Sequence, residues 1–99
     1  MPEHVAIVTG AGSGIGRATA LALSRAGYRV AILARTASTL EETRTAAISD
    51  RPDAEIICHP GDVGDPNCAK AVVSSTIEQW GRLDVLVNAA GMAPMRPLH

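Results

Sequence analysis

The sequence predicts an α/β chain built on a doubly wound parallel sheet, and three observations carry that reading. Four short apolar runs alternate with three stretches of helical periodicity along 99 residues. The runs are apolar throughout rather than alternating, the pattern of strands covered on both faces. Between the first run and the first helical stretch lies Thr9-Gly10-Ala11-Gly12-Ser13-Gly14-Ile15-Gly16. A strand that stops at a glycine-rich turn and opens into a helix brings backbone N–H groups and the positive helix terminus to one point, which suits an anion.

The first strand is Val5-Ala6-Ile7-Val8. The helix after the glycines carries Ile15, Ala18, Thr19, Ala22 and Ala26 at helical spacing, and these small residues are expected to pack it close to the sheet. Gly27 suits the position after its C-terminus. Val30-Ala31-Ile32-Leu33 is the second strand, ending at Ala34-Arg35. Ser38 and Glu41 have capping-box spacing for a second helix, with Leu40, Ala47 and Ile48 as its buried stripe. Asp50-Arg51-Pro52-Asp53 reads as a turn and Ile56-Ile57-Cys58 as the third strand. After the loop Gly61-Asp62-Val63-Gly64, Asp65 can cap a third helix with Pro66 in its first position. Ala69, Val72, Val73, Thr76, Ile77 and Trp80 give that helix the clearest stripe in the chain, and Gly81 ends it. Val85-Leu86-Val87 is the fourth strand. The order β-α-β-α-β-α-β with right-handed crossovers gives strand order 3-2-1-4, with the switch point between the first and fourth strands. The glycine loop and Asn88-Ala89-Ala90-Gly91 both follow strand C-termini at that crevice.

Composition narrows the partners. The chain is 46% hydrophobic, which favours a folded domain, and its formal net charge of −1 gives no support for nucleic acid or an anionic membrane surface. No apolar run approaches the ~20 residues that span a bilayer. The N-terminus lacks a basic segment ahead of a secretory apolar core, so a cytoplasmic protein is expected. Cys58 and Cys68 lack the spacing of a zinc site or a disulfide framework and read as ordinary thiols. His4, His59 and His99 do not cluster and read as surface residues, and no metal site is expected.

The glycine spacing does not fit G-x-G-x-x-G, since Ile15 or Arg17 stands where the last glycine would be. It fits T-G-x-x-x-G-x-G with Gly10, Gly14 and Gly16. That spacing resembles the short-chain dehydrogenase/reductase family. Two more motifs share the resemblance: Asp62-Val63 after the third strand, and Gly81-Arg82-Leu83-Asp84-Val85-Leu86-Val87-Asn88-Ala89-Ala90-Gly91, in which Ala89 stands where the family usually has a second Asn. Together they cover nearly the whole chain. The resemblance implies a Rossmann-like fold and a dinucleotide cofactor. Gly10, Gly12, Ser13, Gly14, Ile15 and Gly16 would form the phosphate loop, Asp62 and Val63 would meet the adenine, and Asn88, Ala90 and Gly91 would lie along the adenosine ribose. Thr9 would brace the loop after the fourth strand, and Asp84 reads as structural.

Arg35 bears on the choice of cofactor. An NAD site places an acid near the end of the second strand, to accept from the ribose hydroxyls, and here that position is Ala34. Arg35, beside it, can pair with a 2′-phosphate. A charge-assisted hydrogen bond of roughly 1.5–3 kcal/mol favours NADP(H) over NAD(H) by about one to two orders of magnitude. Arg17 is a second candidate phosphate partner.

Catalysis in the family rests on a Ser, a Tyr-x-x-x-Lys pair and a later Asn. Tyr28, the only tyrosine, has Ile32 four residues on, and the only lysine, Lys70, falls on the third helix. No catalytic residue is therefore assigned. Residues 1–99 are expected to form an incomplete dinucleotide-binding half-domain, truncated ahead of a catalytic half, and to be inactive alone. The implied activity is NADP(H)-dependent reduction of a carbonyl or oxidation of an alcohol on a small-molecule substrate, by a homo-oligomer when full length. A non-catalytic dinucleotide-binding or regulatory module is the alternative.

Overall fold

The computed structural model describes residues 4–12, 14–62 and 64–89. The elements alternate as β1 (Val5–Thr9), α1 (Gly14–Arg25), β2 (Arg29–Ala34), α2 (Ala37–Asp50), β3 (Ile56–Pro60), α3 (Pro66–Trp80) and β4 (Val85–Asn88). The strands form one parallel sheet in the order β3-β2-β1-β4, as the sequence predicts. The registers Thr9↔Leu33, Thr9↔Asn88 and Ala34↔Pro60 place the C-terminal ends of all four strands along one sheet edge.

Helices cover the sheet from both sides, which is why β1 and β2 are apolar on both faces. On one side Val8, Val30, Ile32 and Ile56 pack with Ala20 of α1 and with Leu40 and Ala47 of α2. On the other, Ile7, Ala31 and Leu33 pack with Val72 of α3, joined by half-buried Val73, Trp80 and Leu83. Among the described residues the first two helices thus share a face and α3 covers the other, as expected.

Two local expectations are corrected. The buried face of α1 runs through Gly16, Ala20 and Ser24, with Leu21 and Leu23 against the core. Ala18, Ala22 and Ala26 are exposed, and Ile15 is 48% exposed. The i, i+4 row that reaches the sheet is the one starting at Gly16, because only a residue without a side chain fits against the preceding loop there. The second correction concerns α2. Its N-cap is Thr36, without a side-chain cap hydrogen bond, and Ser38 lies inside the helix, so the Ser38/Glu41 capping box does not form. Thr39 Oγ1 donates to the Thr36 carbonyl instead.

The other helix ends follow the sequence. Gly27 has φ +97°, its N–H bonds to the Ser24 carbonyl and that of Tyr28 to Leu23, the paired bonds of a Schellman turn. Asp65 caps α3 by accepting from the Asn67 N–H, Pro66 opens the helix and Gly81 closes it at φ +79°. No helix among the described residues is long and apolar enough to cross a membrane.

Candidate dinucleotide-binding site

The strand order arranges the candidate residues in a row. Along the C-terminal edge come Asp62 after β3, Arg35 after β2, the glycine loop after β1, and Asn88 at the end of β4. With about 4.8 Å between strands, the row spans about 14 Å from β3 to β4. An extended ligand lying across the edge meets all four in sequence.

The loop's curvature depends on absent side chains. Gly10 and Gly14 adopt φ +69° and +58°. A Cβ on Gly16 would stand 1.9 Å from the Gly10 carbonyl oxygen, and one on Gly12 would stand 2.6 Å from Thr39 Oγ1. Gly10 and Ala11 both direct their N–H groups to the Leu33 carbonyl, at 2.8 and 3.3 Å, which ties the loop's entry to β2. The amides that open α1, at Gly14, Ile15 and Gly16, lack intrahelical acceptors and carry the positive end of the helix dipole.

Arg17, the second candidate phosphate partner, turns Nε and Nη2 of its guanidinium into the fold. Its Nε donates to Thr43 Oγ1 at 3.0 Å, and its Nη2 donates to the Gly12 carbonyl at 2.8 Å and to Glu42 at 3.0 Å. Thr43, fully buried, donates in turn to the Ala11 carbonyl at 2.9 Å. These bonds link the loop to α2 through the guanidinium. The sequence carried a signal for Thr43: it lies on the stripe of Leu40 and Ala47 and is the polar member of that buried row.

Arg35 is 81% exposed on its side chain and its Nη2 lies 3.9 Å from Asp62 Oδ1. An ion pair so exposed is weak, so it leaves the guanidinium disposed to take a stronger anion. Asp62, 58% exposed, accepts the Gly64 N–H at 2.8 Å through Oδ1, and its carbonyl accepts from the Asp65 N–H. It therefore shapes the turn while its carboxylate faces solvent. Thr9 Oγ1 donates to Asn88 Oδ1 at 2.9 Å, which ties the last residue of β1 to the last residue of β4; the loop beyond Ala89 that Thr9 is expected to brace lies outside the described residues. Ser13, Val63, Ala90, Gly91 and His99 lie outside the described residues.

Asp84 accepts from Arg82 and from the Val5 N–H, and these bonds, the Arg82 pair foremost, hold its carboxyl down to about 2. His59, expected at the surface, is half-buried on β3. Burial lowers its pKa, and its Nε2 has no hydrogen-bond partner. Cys58 and Cys68 are free thiols, and burial raises the pKa of Cys58. Among the described residues no cluster of His, Cys, Asp or Glu could hold a metal ion.

A family model described as short chain dehydrogenase matches residues 4–99. Levodione reductase of Leifsonia aquatica is 37% identical over 90 residues, covering 91% of this chain and 34% of its own length. The crystal structure of a β-ketoacyl-[ACP] reductase from Bacteroides thetaiotaomicron superposes with a TM-score of 0.86 at 33% identity, over 100% of this chain and 43% of that one. A metagenomic short-chain oxidoreductase solved in complex with NADP superposes with a TM-score of 0.76 at 32% identity, over 84% of this chain and 37% of that one. The chain spans 34% or less of the length of the first curated relatives it matches.

Proposed function

Because the chain belongs to the short-chain dehydrogenase/reductase family, we propose that it is the cofactor-holding part of an NADP(H)-dependent oxidoreductase that reduces a carbonyl or oxidises an alcohol. The carrying observation is the pairing of the glycine cradle with Arg35. Gly16 packs so closely on the Gly10 carbonyl that no side chain fits, and one strand away Arg35 stands exposed, with Ala34 rather than an acid at the end of β2 and only a long, exposed contact to Asp62.

The residues fit such a cofactor. Gly12, Ser13, Gly14, Ile15 and Gly16 would face the pyrophosphate, with Gly10 shaping the turn. Arg35 would pair with the 2′-phosphate, and the adenine would rest against Asp62 and Val63. Asn88, Ala90 and Gly91 would line the adenosine ribose. When bound, NADP(H) would supply the two-electron redox chemistry. This chain's own work is binding and orientation: the loop fixes the phosphates, and the Thr9–Asn88 bond holds the wall beside them. We assign no catalytic residue to it. The acid/base and the substrate pocket belong to the part of the family fold that this chain does not span. We place the whole protein in the cytoplasm as a homo-oligomer acting on a small molecule.

Titration with NADPH and NADH tests the reading. NADPH is expected to bind about ten- to a hundredfold tighter, the range one charge-assisted hydrogen bond supplies, and Arg35→Ala is expected to remove that difference. Equal affinities in the unaltered protein would overturn the NADP preference, and binding of neither would overturn the site.

A further inference from the structure

We infer that Arg17 and Thr43 are positioning residues for the dinucleotide, setting the direction in which the glycine loop presents its backbone. The inference rests on the reading of the loop as a pyrophosphate site, and goes beyond it by naming what aims the loop. Two successive carbonyls of the loop are held by helix side chains, the first by Thr43 of α2 and the second by Arg17 of α1. The Ala11 carbonyl accepts from Thr43 Oγ1 at 2.9 Å, and the Gly12 carbonyl accepts from Arg17 Nη2 at 2.8 Å. In a trans peptide the C=O of one residue and the N–H of the next point in opposite directions. Holding the Ala11 carbonyl against α2 therefore turns the Gly12 N–H away from α2.

The two side chains act as one unit. Thr43 has a single hydroxyl proton, and its distances favour Ala11 at 2.9 Å over the Thr39 carbonyl at 3.2 Å. Arg17 Nε, donating to the same oxygen at 3.0 Å, occupies the acceptor side and leaves the proton for the loop. Glu42, 3.0 Å from Arg17 Nη2, orients the guanidinium from outside. Ala11 and Thr43 are fully buried, so a peptide flip here would strand a carbonyl and a hydroxyl without water. The network thus resists the one motion that would spoil the phosphate cradle. It touches no part of a site for the adenosine 2′-phosphate, which lies at Arg35.

That separation gives the test. Thr43→Val removes the hydroxyl at nearly constant shape, and Arg17→Met removes the guanidinium but keeps the aliphatic stem. The dissociation constants of NADP⁺ and of adenosine 2′-monophosphate, which lacks the pyrophosphate, are measured by calorimetry for each variant. NADP⁺ is expected to weaken about tenfold in both variants, the scale of one hydrogen bond to a charged group. Adenosine 2′-monophosphate is expected to be unchanged, and Thr43→Ser is expected to restore NADP⁺ binding. Parallel weakening of both ligands, with no rescue by Ser, would reduce the pair to general stabilisers and overturn the inference, as would variants that bind both ligands normally. If Thr43→Val fails to fold, the partly exposed Arg17→Met carries the comparison alone. Unaltered protein that binds neither ligand would instead bring down the cofactor reading itself.

Discussion

Gly16 is held by contact rather than by its backbone angle. It sits in the helical region, where alanine is ordinarily the better residue. Yet a methyl group there would stand 1.9 Å from the Gly10 carbonyl oxygen and 3.0 Å from Ala11 Cα, both backbone atoms that no rotamer change can move. Gly16→Ala must therefore push α1 away from the loop or open the loop itself. We expect the variant to lose dinucleotide binding and to melt at lower temperature, read by cofactor titration and circular dichroism. Binding retained at full strength would mean the cradle tolerates a displaced helix. Gly14 differs in kind: a Cβ there meets nothing within 4 Å, and only its φ of +58° favours glycine. The spacing of the glycines was visible in the sequence, but these separate reasons were not, because a close approach across a turn leaves no trace in composition.

At the scale of elements, the strands and their order were legible because the two central strands, covered on both faces, are apolar at nearly every position, and four short apolar runs admit few right-handed arrangements. The third helix was legible for a related reason: Asp65, Pro66 and Gly81 punctuate it chemically. The buried face of α1 was not legible. Its Ala and Ile residues form a plausible apolar stripe, while the row that packs is Gly16, Ala20 and Ser24, chosen by the loop contact at Gly16. Asp84 ties two elements in a way the sequence only hinted at. Its carboxylate accepts from the Val5 N–H at the start of β1 and from Arg82 ahead of β4, so one charge aligns the entry of neighbouring strands. These bonds favour the ionised form, lowering the pKa from 3.8 to about 2. The unfolded chain takes up the proton first as pH falls. The contribution is therefore complete above the ordinary value of 3.8 and is lost as pH falls toward about 2. Asp84→Asn is expected to melt lower than the unaltered protein at neutral pH, with a gap that narrows between pH 4 and pH 2, the window of that titration. A gap of constant size across those pH values would show that shape rather than charge aligns the strands.

The whole molecule is asymmetric. One face of the sheet carries α1 and α2, packed against each other and closed over a continuous core. The other carries α3 alone among the described residues. Beside it, Ile7, Leu33, Val72, Val73 and Leu86 line an apolar cleft of about 150 Å³, with Thr9 and Asn88 at its upper end. Leu86 on β4 is 59% exposed and Ile77 on α3 is 46% exposed. Among the described residues β4 pairs in the sheet with β1 alone, so it stands at the sheet's edge with Leu86 exposed upon it. That combination is a template for association, since an edge strand supplies hydrogen bonds and the apolar surface supplies the driving force. With a net charge of only −1, electrostatic repulsion does little to oppose it. We therefore expect the 99-residue chain, prepared by itself, to self-associate as its concentration rises, read as a growing mass in light scattering. Leu86→Lys places a charge on the exposed face of the edge strand without entering the closed core, and should shift the distribution toward 10.2 kDa. Leu86 pairs in register with Ile7, short of the strand ends that carry the glycine loop and Asn88, so dinucleotide affinity should be preserved. Monomeric behaviour of the unaltered chain at every concentration would mean that α3 alone suffices to close this face. In that event the cofactor half is a self-sufficient unit, and the non-catalytic binding module becomes the better account of its function.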